Sequence, residues 1–162
     1  MRRALVITVS DGVSAGVREY RSGAALAGRL GELGVVVARA LAEDDVEAIE
    51  GALRGGAADH ELIVTTGGTG LTPRDVTPQA TRAAIDYEVP GLAEAMRASG
   101  RAITPLADLS RGLVGVTGRT LVVNTPGSPT AALESLAALE ATLDHALETL
   151  AGPFDHGAGG SP

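Results

Sequence analysis

The stretch that determines the fold reads Leu62-Ile63-Val64-Thr65-Thr66-Gly67-Gly68-Thr69-Gly70, an apolar run that leads directly into a glycine-rich loop. Short runs of apolar and β-branched residues are typical of strands that are buried on both faces of a sheet. Three other runs share this pattern, at residues 4–9, 35–41 and 120–124, and a weaker run lies at residues 113–116. We therefore expect these runs to form the strands of one central sheet.

Helical patterns separate the predicted strands, because apolar residues recur there every three or four positions. The longest pattern follows Ser128-Pro129, where serine suits the N-cap and proline suits the first helical position. Two shorter helices are expected near residues 78–85 and 90–99, each opened by a proline. The apolar positions of the three main helices are Leu26, Leu30 and Leu33, then Val46, Ile49 and Leu53, then Leu136, Leu139, Leu143, Leu147 and Leu150. Strands that alternate with helices predict an α/β fold with a mostly parallel sheet, covered on both faces.

The length of 162 residues corresponds to one domain with at most a short tail. We expect residues 1–151 to form a single α/β domain. The helical pattern stops after that point, so residues 152–162 are expected to form a flexible C-terminal tail.

Several classes of function are excluded by composition, because cysteine and lysine are absent and all 13 cations are arginine. Without cysteine there is no disulfide framework or thiolate metal site, and without lysine there is no Schiff-base chemistry and no Walker A lysine. The net charge of −7 and the three aromatic residues argue against a nucleic-acid partner. No apolar run approaches the roughly 20 residues of a membrane span, and residues 4–9 look like a strand rather than a signal-peptide core. We expect a cytoplasmic protein that binds neither nucleic acid nor a membrane.

Polar loops follow four of the predicted strands, at residues 10–16, 43–45, 65–78 and 124–129. In sheets of this kind ligands bind beyond the carboxyl ends of the strands, so these loops should share one rim. The glycines and threonines of residues 65–70 expose N–H groups and hydroxyls that suit a phosphate. The alternative is a tight strand-to-helix turn that requires positive φ. Residues 126–128 offer the N-terminus of a helix to an anion, although Ser128 could simply cap that helix.

Two carboxylates, Asp44 and Asp75, are the candidate catalytic residues. Carboxylates beside a polyphosphate usually hold Mg²⁺, which screens the charge and orients the phosphates. Asp44 with Glu47 also has the spacing of a capping box, and Asp75 could simply stabilise the turn before Thr77-Pro78. Both interpretations stay open for each aspartate at this point.

The run from Thr65 to Gly70, followed by Arg74-Asp75-Val76-Thr77-Pro78, closely resembles the signature of the MogA/MoaB family of molybdenum-cofactor biosynthesis. Other motifs match in the order of the family, and together the resemblance spans roughly residues 4 to 150. They are Ser10-Asp11 with Ser14-Ala15-Gly16 and Ser22-Gly23, Asp44 before a helix, Pro90-Gly91-Leu92 with Glu94 and Met96-Arg97, Leu109-Ser110-Arg111, and Asn124 with Pro126-Gly127 and Pro129.

The resemblance implies a three-layer α/β/α sandwich that assembles as a trimer or hexamer. It implies transfer of AMP from Mg-ATP to molybdopterin, giving adenylyl-molybdopterin and pyrophosphate, with a molybdenum-insertion enzyme as a further partner. Asp44 and Asp75 match the two essential aspartates of the family and would hold or orient Mg²⁺. The expected binding residues are Ser10, Asp11, Ser14, Thr66, Gly67, Gly68, Thr69, Gly70, Arg74, Glu94, Ser110, Arg111, Pro126, Gly127 and Ser128.

Other functions remain open on the sequence. The first is a non-catalytic molybdopterin-binding carrier or scaffold of the same pathway, and the second is a nucleotide-binding module unrelated to molybdenum. The two carboxylates favour an enzyme over a carrier, since a pure binding protein has less need of carboxylates that face a phosphate. The sequence does not distinguish ATP from GTP, or molybdenum from tungsten.

Overall fold

The fold is built on one mixed sheet, seen in a computed structural model that describes residues 1–10 and 16–154. Within these residues the sheet has six strands, namely β1 (Arg3–Val9), β2 (Val36–Ala42), β3 (Leu62–Thr66), β4 (Tyr87–Glu88), β5 (Val114–Thr117) and β6 (Thr120–Thr125). Their order in the sheet is β2-β1-β3-β6-β5-β4. The neighbours β2, β1, β3 and β6 run parallel, whereas β5 is antiparallel to both of its neighbours. The predicted mostly parallel sheet is confirmed.

Helices cover both faces of this sheet. They are α1 (Gly16–Glu32), α2 (Val46–Ala57), α3 (Thr77–Ala84), α4 (Pro90–Arg101) and α5 (Pro129–Ala151), with a short 3₁₀ helix at Pro105–Leu109. Residues of α1, α4 and α5 pack on one face, and residues of α2 and α3 pack on the other. The result is the α/β/α layering that was predicted.

The central strand β1 shows why the apolar runs are continuous. Side chains alternate between the two faces of a strand. Ala4 and Val6 therefore join the core under α1, α4 and α5, while Leu5, Ile7 and Val9 join the core under α2 and α3. Because both faces are covered by helices, every position from Ala4 to Val9 is buried. Thr8 is the one polar residue of this stretch, and charged residues at these positions would lose their hydration.

An ion pair links α1 to α5 across the outside of one layer. Arg29 donates from Nε to Glu140 Oε1 at 2.8 Å and from its terminal nitrogen Nη2 to Glu140 Oε2 at 2.7 Å. The hydrogen bonds from Arg29 lower the pKa of Glu140 below its ordinary value. The same contact raises the pKa of Arg29. A bidentate ion pair of this kind fixes the relative position of two helices better than a single hydrogen bond does.

Two local predictions differ from the observed structure, and one element was not predicted. Leu33 was expected on the buried face of the first helix, but α1 ends at Glu32 and Leu33 is 41% exposed. The helix α2 is capped by Asp45, whose Oδ2 accepts a hydrogen bond from Ala48 N at 2.9 Å. The capping-box interpretation of Asp44 is therefore wrong. The two-residue strand β4 was not predicted, since it is too short to carry a periodic pattern.

The C-terminal region was predicted to consist of a helix that ends near residue 151 and a flexible tail. Helix α5 ends at Ala151, which is the predicted domain boundary. Residues 155–162 of the predicted tail lie outside the described residues, so its flexibility stays a prediction. No helix among residues 1–10 and 16–154 is long and apolar enough to cross a membrane.

Candidate functional site

The predicted rim exists at the carboxyl ends of the parallel strands. The strands β3 and β6 are neighbours, so the loops that follow them lie side by side. Gly67 N donates to Thr125 O at 3.1 Å, and Thr66 Oγ1 donates to Pro126 O at 2.8 Å. Further along the same edge, Ser10 N donates to Ala42 O at 3.0 Å, and this hydrogen bond joins the ends of β1 and β2. Four predicted loops therefore begin along one edge.

The glycine-rich loop, defined here as residues 67–75, is shaped by its own hydrogen bonds. Gly67 and Gly68 have φ values of 98° and 70°, which L residues with side chains rarely adopt. Thr77 Oγ1 donates to Gly67 O at 2.9 Å, and Thr77 N donates to Gly68 O at 3.1 Å. A Cβ atom on Gly68 would overlap the Thr77 hydroxyl. The tight-turn interpretation of these two glycines is therefore correct.

The same loop also presents unused donors. The N–H groups of Gly68, Thr69 and Gly70 donate to no acceptor within the described part of the chain. Thr69 is only 6% exposed, and its hydroxyl has no hydrogen-bond partner there either. Donors that the fold leaves unbonded beside a cleft suit an anionic ligand. The turn geometry and the phosphate interpretation are thus compatible.

Asp75 is the last residue of the glycine-rich loop. Its Oδ2 atom accepts hydrogen bonds from Thr72 N at 2.9 Å and from Thr72 Oγ1 at 2.8 Å. A Cβ atom on Gly70 would lie 2.8 Å from the same oxygen. The Oδ1 atom accepts no hydrogen bond from the described residues. One oxygen therefore stabilises the turn, as the alternative interpretation predicted, and the other makes no hydrogen bond to the described residues.

Asp44 lies at a different place on the rim. It is half-buried and follows β2, which is separated from β3 by β1. Two interstrand spacings, about 10 Å, therefore separate the strands that lead to the two aspartates. The described residues contain no group of three or more Asp, Glu or His side chains that could hold a metal ion. An Mg²⁺ ion at either aspartate would therefore have to take most of its ligands from water and from substrate phosphates.

Arg111 was predicted to contact substrate, and the structure shows that most of its hydrogen bonds are made to the glycine-rich loop. Nε donates to Gly70 O at 2.8 Å, and Nη2 donates to Asp75 O at 2.6 Å. Nη1 donates to Gln79 Oε1 at 3.3 Å, and the backbone N donates to Thr69 O at 3.0 Å. The guanidinium fork thus joins the middle and the end of the loop.

A cleft of about 410 Å³ opens beside the loop. This volume is in the range of small-molecule sites. Its loop side consists of predicted residues, namely Thr69, Gly70, Ser110, Pro126 and Ser128. Its other side, which we call the helical wall, comes from α4, the 3₁₀ helix and α5, and includes Ala93, Met96, Leu106, Leu109 and Glu134.

Comparison with known proteins decides the family. A family described as "Probable molybdopterin binding domain" matches residues 5–145. The chain belongs to this family. The predicted resemblance to MogA and MoaB proteins is thereby confirmed, together with the predicted fold class.

Individual members of the molybdopterin-binding family agree with this assignment. A solved structure of MogA has a TM-score of 0.86 and 42% identity, covering 92% of this chain and 99% of that chain. The molybdopterin adenylyltransferase of Helicobacter pylori strain J99 is 32% identical over 154 residues, covering 92% of this chain and 88% of that protein. The molybdenum cofactor biosynthesis bifunctional protein of Synechococcus elongatus is 40% identical over 156 residues, covering 95% of this chain. The chain spans 49% of that protein, and thus about half its length.

The other predicted binding residues of this family member fall into three groups. Thr66 is buried, and its hydroxyl is bonded to Pro126 O and to the Ser22 hydroxyl, so it serves the fold. Glu94 is exposed on α4 and does not line the cleft, and Arg74 is likewise exposed. Asp11 and Ser14 lie outside the described residues.

Two residues that shape the site were not among the predicted site residues, namely Glu134 and Asn124, although Asn124 was named as part of a family motif. The buried Asn124 donates to Thr65 Oγ1 at 3.0 Å and Thr81 Oγ1 at 2.9 Å, and it accepts from Leu113 N at 3.1 Å. It thereby ties β6 to β3, to α3 and to the segment that enters β5. Glu134 could have been found, because Ser128-Pro129 fixes the start of α5, and Ala131, Glu134 and Ser135 then share one face.

Proposed function

We propose that this chain is a nucleotidyltransferase of molybdenum-cofactor biosynthesis that transfers AMP from Mg-ATP to the terminal phosphate of molybdopterin. The products are adenylyl-molybdopterin and pyrophosphate. One observation carries the proposal: three N–H groups of the glycine-rich loop have no acceptor among the described residues, and two of them belong to Thr69 and Gly70, which line the cleft. The name of the Helicobacter relative is consistent with it.

The proposed chemistry needs positioning and charge neutralisation more than covalent help from the protein. A phosphate oxygen of molybdopterin attacks the α-phosphorus of ATP, and the bond from that phosphorus to the bridging oxygen breaks. Pyrophosphate leaves with the electron pair. The attacking phosphate is already ionised at neutral pH, so no strong general base is required.

The donors for this step would come from two neighbouring loops. The N–H groups of Gly68, Thr69 and Gly70 and the Thr69 hydroxyl would bind phosphate oxygens. Ser128 caps α5, with its Oγ accepting from Ala131 N at 3.1 Å. The positive end of the α5 dipole would add to the attraction for phosphate. Ser110, which lines the same cleft, would lie on the pterin side.

The two aspartates would act on the Mg-ATP substrate. The Oδ2 atom of Asp75 is fixed by Thr72, so its Oδ1 atom has a defined position for an Mg²⁺ ion or its bound water. Asp44 would approach the nucleotide from the β2 end of the rim. Arg111 would be a positioning residue, because it holds the loop that carries Asp75.

A molybdopterin carrier is the second candidate, and one observation favours it. The hydrogen bonds from Thr72 give Asp75 a structural role that needs no catalysis. A carrier would use the cleft and the loop donors without transferring AMP.

Pyrophosphate release separates these functions. The protein is mixed with molybdopterin, Mg²⁺ and ATP, and compared with Asp75→Asn, which keeps an oxygen for Thr72 and removes the charge. We expect molybdopterin-dependent release that falls at least about 100-fold in the variant. Equal rates would overturn the role of Asp75. Stoichiometric molybdopterin binding without release would establish the carrier.

We also propose a cytoplasmic homotrimer or hexamer that delivers its product to a molybdenum-insertion enzyme. Support for assembly comes from the edge strand β2, which pairs with β1 alone among the described strands. Val36 and Leu41 on this strand are 49% and 70% exposed, and apolar edge strands are usually covered in native proteins. Light scattering should give the mass of three or six copies, and a monomer would contradict the assembly.

A further inference from the structure

The helical wall of the cleft has a chemical character different from that of the loop side. Ala93 and Met96 of α4 and Leu106 and Leu109 of the 3₁₀ helix give it apolar surface. Leu106 and Leu109 are 69% and 51% exposed, so the fold itself does not bury them. An apolar surface with few polar groups suits a flat heterocycle better than a phosphate.

Glu134 is the carboxylate of this wall. It lies on α5, is half-buried and lines the cleft. Its carboxylate makes no hydrogen bond and no ion pair with any residue that the structure describes. Glu140, about two turns further along the same helix, is bonded to Arg29 at 2.8 and 2.7 Å. A carboxylate that lines a cleft and receives no hydrogen bond from the described residues can accept hydrogen bonds from a ligand that brings donors.

The donor pattern of the ligand follows from the chemistry of a carboxylate. An ionised carboxylate accepts hydrogen bonds through two oxygens and donates none. It therefore pairs best with two adjacent N–H groups. The 2-amino-4-oxo ring of a pterin offers such a pair, in its 2-amino group and N3–H. Adenine instead offers one N–H donor next to a ring nitrogen that is an acceptor. The lone pair of that nitrogen would face a carboxylate oxygen, and the two would repel each other.

We propose that Glu134 is the specificity-determining residue that binds the 2-amino and N3–H edge of the pterin ring, with the apolar helical wall against the ring. This inference rests on the proposed function for the identity of its ligand. It assigns the helical wall to the pterin and leaves the adenine outside that part of the cleft. Guanine carries the same donor edge, so the test includes it.

Binding of two matched rings tests the proposal directly. Pterin (2-amino-4-oxopteridine) and lumazine (2,4-dioxopteridine) differ at position 2, where lumazine has an oxygen in place of the amino group. Fluorescence titration should show that the wild type prefers pterin by at least about ten-fold, the range expected for a charged hydrogen bond. In Glu134→Gln the preference should fall to within about two-fold. Glu148→Gln, an exposed change on the same helix, should keep the wild-type preference.

Other outcomes of this titration would overturn the proposal. Equal binding of pterin and lumazine by the wild type, or a preference that survives in Glu134→Gln, would remove Glu134 from recognition. Tighter binding of GMP than of pterin, lost in Glu134→Gln, would assign the cleft to a guanine nucleotide instead. Because Glu134 has no partner within the described residues, the variant should unfold at the wild-type temperature.

Steady-state kinetics keeps this inference separate from the proposed function. In Glu134→Gln the KM for molybdopterin should rise about ten-fold, while kcat and the KM for ATP stay within about two-fold. Parallel rises in both KM values would contradict a pterin-specific role. If the wild type releases no pyrophosphate but shows the Glu134-dependent pterin preference, the transferase proposal fails and the inference stands.

Discussion

The glycine-rich loop and the helical wall border the same cleft, but they differ in whether hydrogen bonds within the chain fix their shape. In the loop, Gly67 O, Gly68 O and Asp75 Oδ2 all accept hydrogen bonds from within the chain. On the helical wall, the Glu134 carboxylate accepts none from the described residues. The difference indicates that the loop is shaped before a ligand arrives, whereas the wall keeps its acceptors for recognition. Changes in the loop should therefore damage geometry and turnover, and changes in the wall should alter selectivity.

The largest effect is expected at Gly68. A Gly68→Ala substitution places a Cβ against the Thr77 hydroxyl and forces alanine to φ near 70°. The two penalties together should lower the free energy of unfolding by about 3 kcal/mol and abolish turnover. Urea unfolding and pyrophosphate release measure both. Gly28→Ala in α1, where a Cβ meets nothing within 4 Å, is the control and should stabilise the protein slightly. Unchanged stability in Gly68→Ala would show that the loop is not fixed by Thr77.

The second-largest effect is expected at Arg111, whose side chain donates hydrogen bonds to two residues of the glycine-rich loop. Arg111→Lys keeps the charge but cannot reproduce the contacts to Gly70 O, Asp75 O and Gln79 Oε1 together. We expect kcat to fall about ten-fold and amide exchange of residues 68–75 to become faster. Hydrogen-exchange mass spectrometry with steady-state kinetics checks this. Arg54→Lys, an exposed arginine on α2, should change neither quantity. If the amides of residues 68–75 exchange at the wild-type rate in Arg111→Lys, Arg111 does not position the loop.

Much of this architecture could be predicted from the sequence because it depends on local patterns. The apolar run at residues 4–9 predicted a strand buried on both faces, and Ser128-Pro129 predicted the start of α5. The capping of α2 was missed, because Asp44 and Asp45 are both suitable caps and only the backbone path distinguishes them. Leu33 was misplaced because helical periodicity continued past the point where α1 ends.

The roles of the site residues were harder to predict, because they depend on contacts distant in sequence. Arg111 reaches Gly70 O, which lies 41 positions away along the chain. Its guanidinium could equally have pointed into solvent or toward a phosphate. Asp75 was predicted either to stabilise a turn or to bind Mg²⁺, and both roles stay compatible because its Oδ1 atom makes no hydrogen bond to the described residues.

The smallest effect is expected away from the cleft, at the pair between Arg29 and Glu140. The hydrogen bonds from Arg29 lower the pKa of Glu140 in the folded state below its ordinary value of 4.5. The pair therefore stabilises the fold above that value, and its contribution is lost as the pH falls through the lowered folded pKa. Glu140→Gln should lower Tm by about 2 °C at pH 7, with a smaller difference near pH 3.

Thermal unfolding at several pH values measures this effect, with Glu43→Gln as the control, because Glu43 is exposed and its side chain has no ion pair among the described residues. Turnover at pH 7 and pterin selectivity should stay unchanged in Glu140→Gln, because the pair lies outside the cleft. A Tm difference that is the same at pH 3 and pH 7 would show that the ion pair does not contribute to stability.

Direct detection of the product tests the central claim best. The protein is mixed with an equal amount of molybdopterin, Mg²⁺ and ATP labelled at the α-phosphate, and the bound pterin is analysed by mass spectrometry. We expect labelled AMP on the terminal phosphate of molybdopterin, at about one per active chain, with none formed by Asp75→Asn. Recovery of unmodified molybdopterin from a fully occupied wild-type protein would contradict the transferase and identify a carrier.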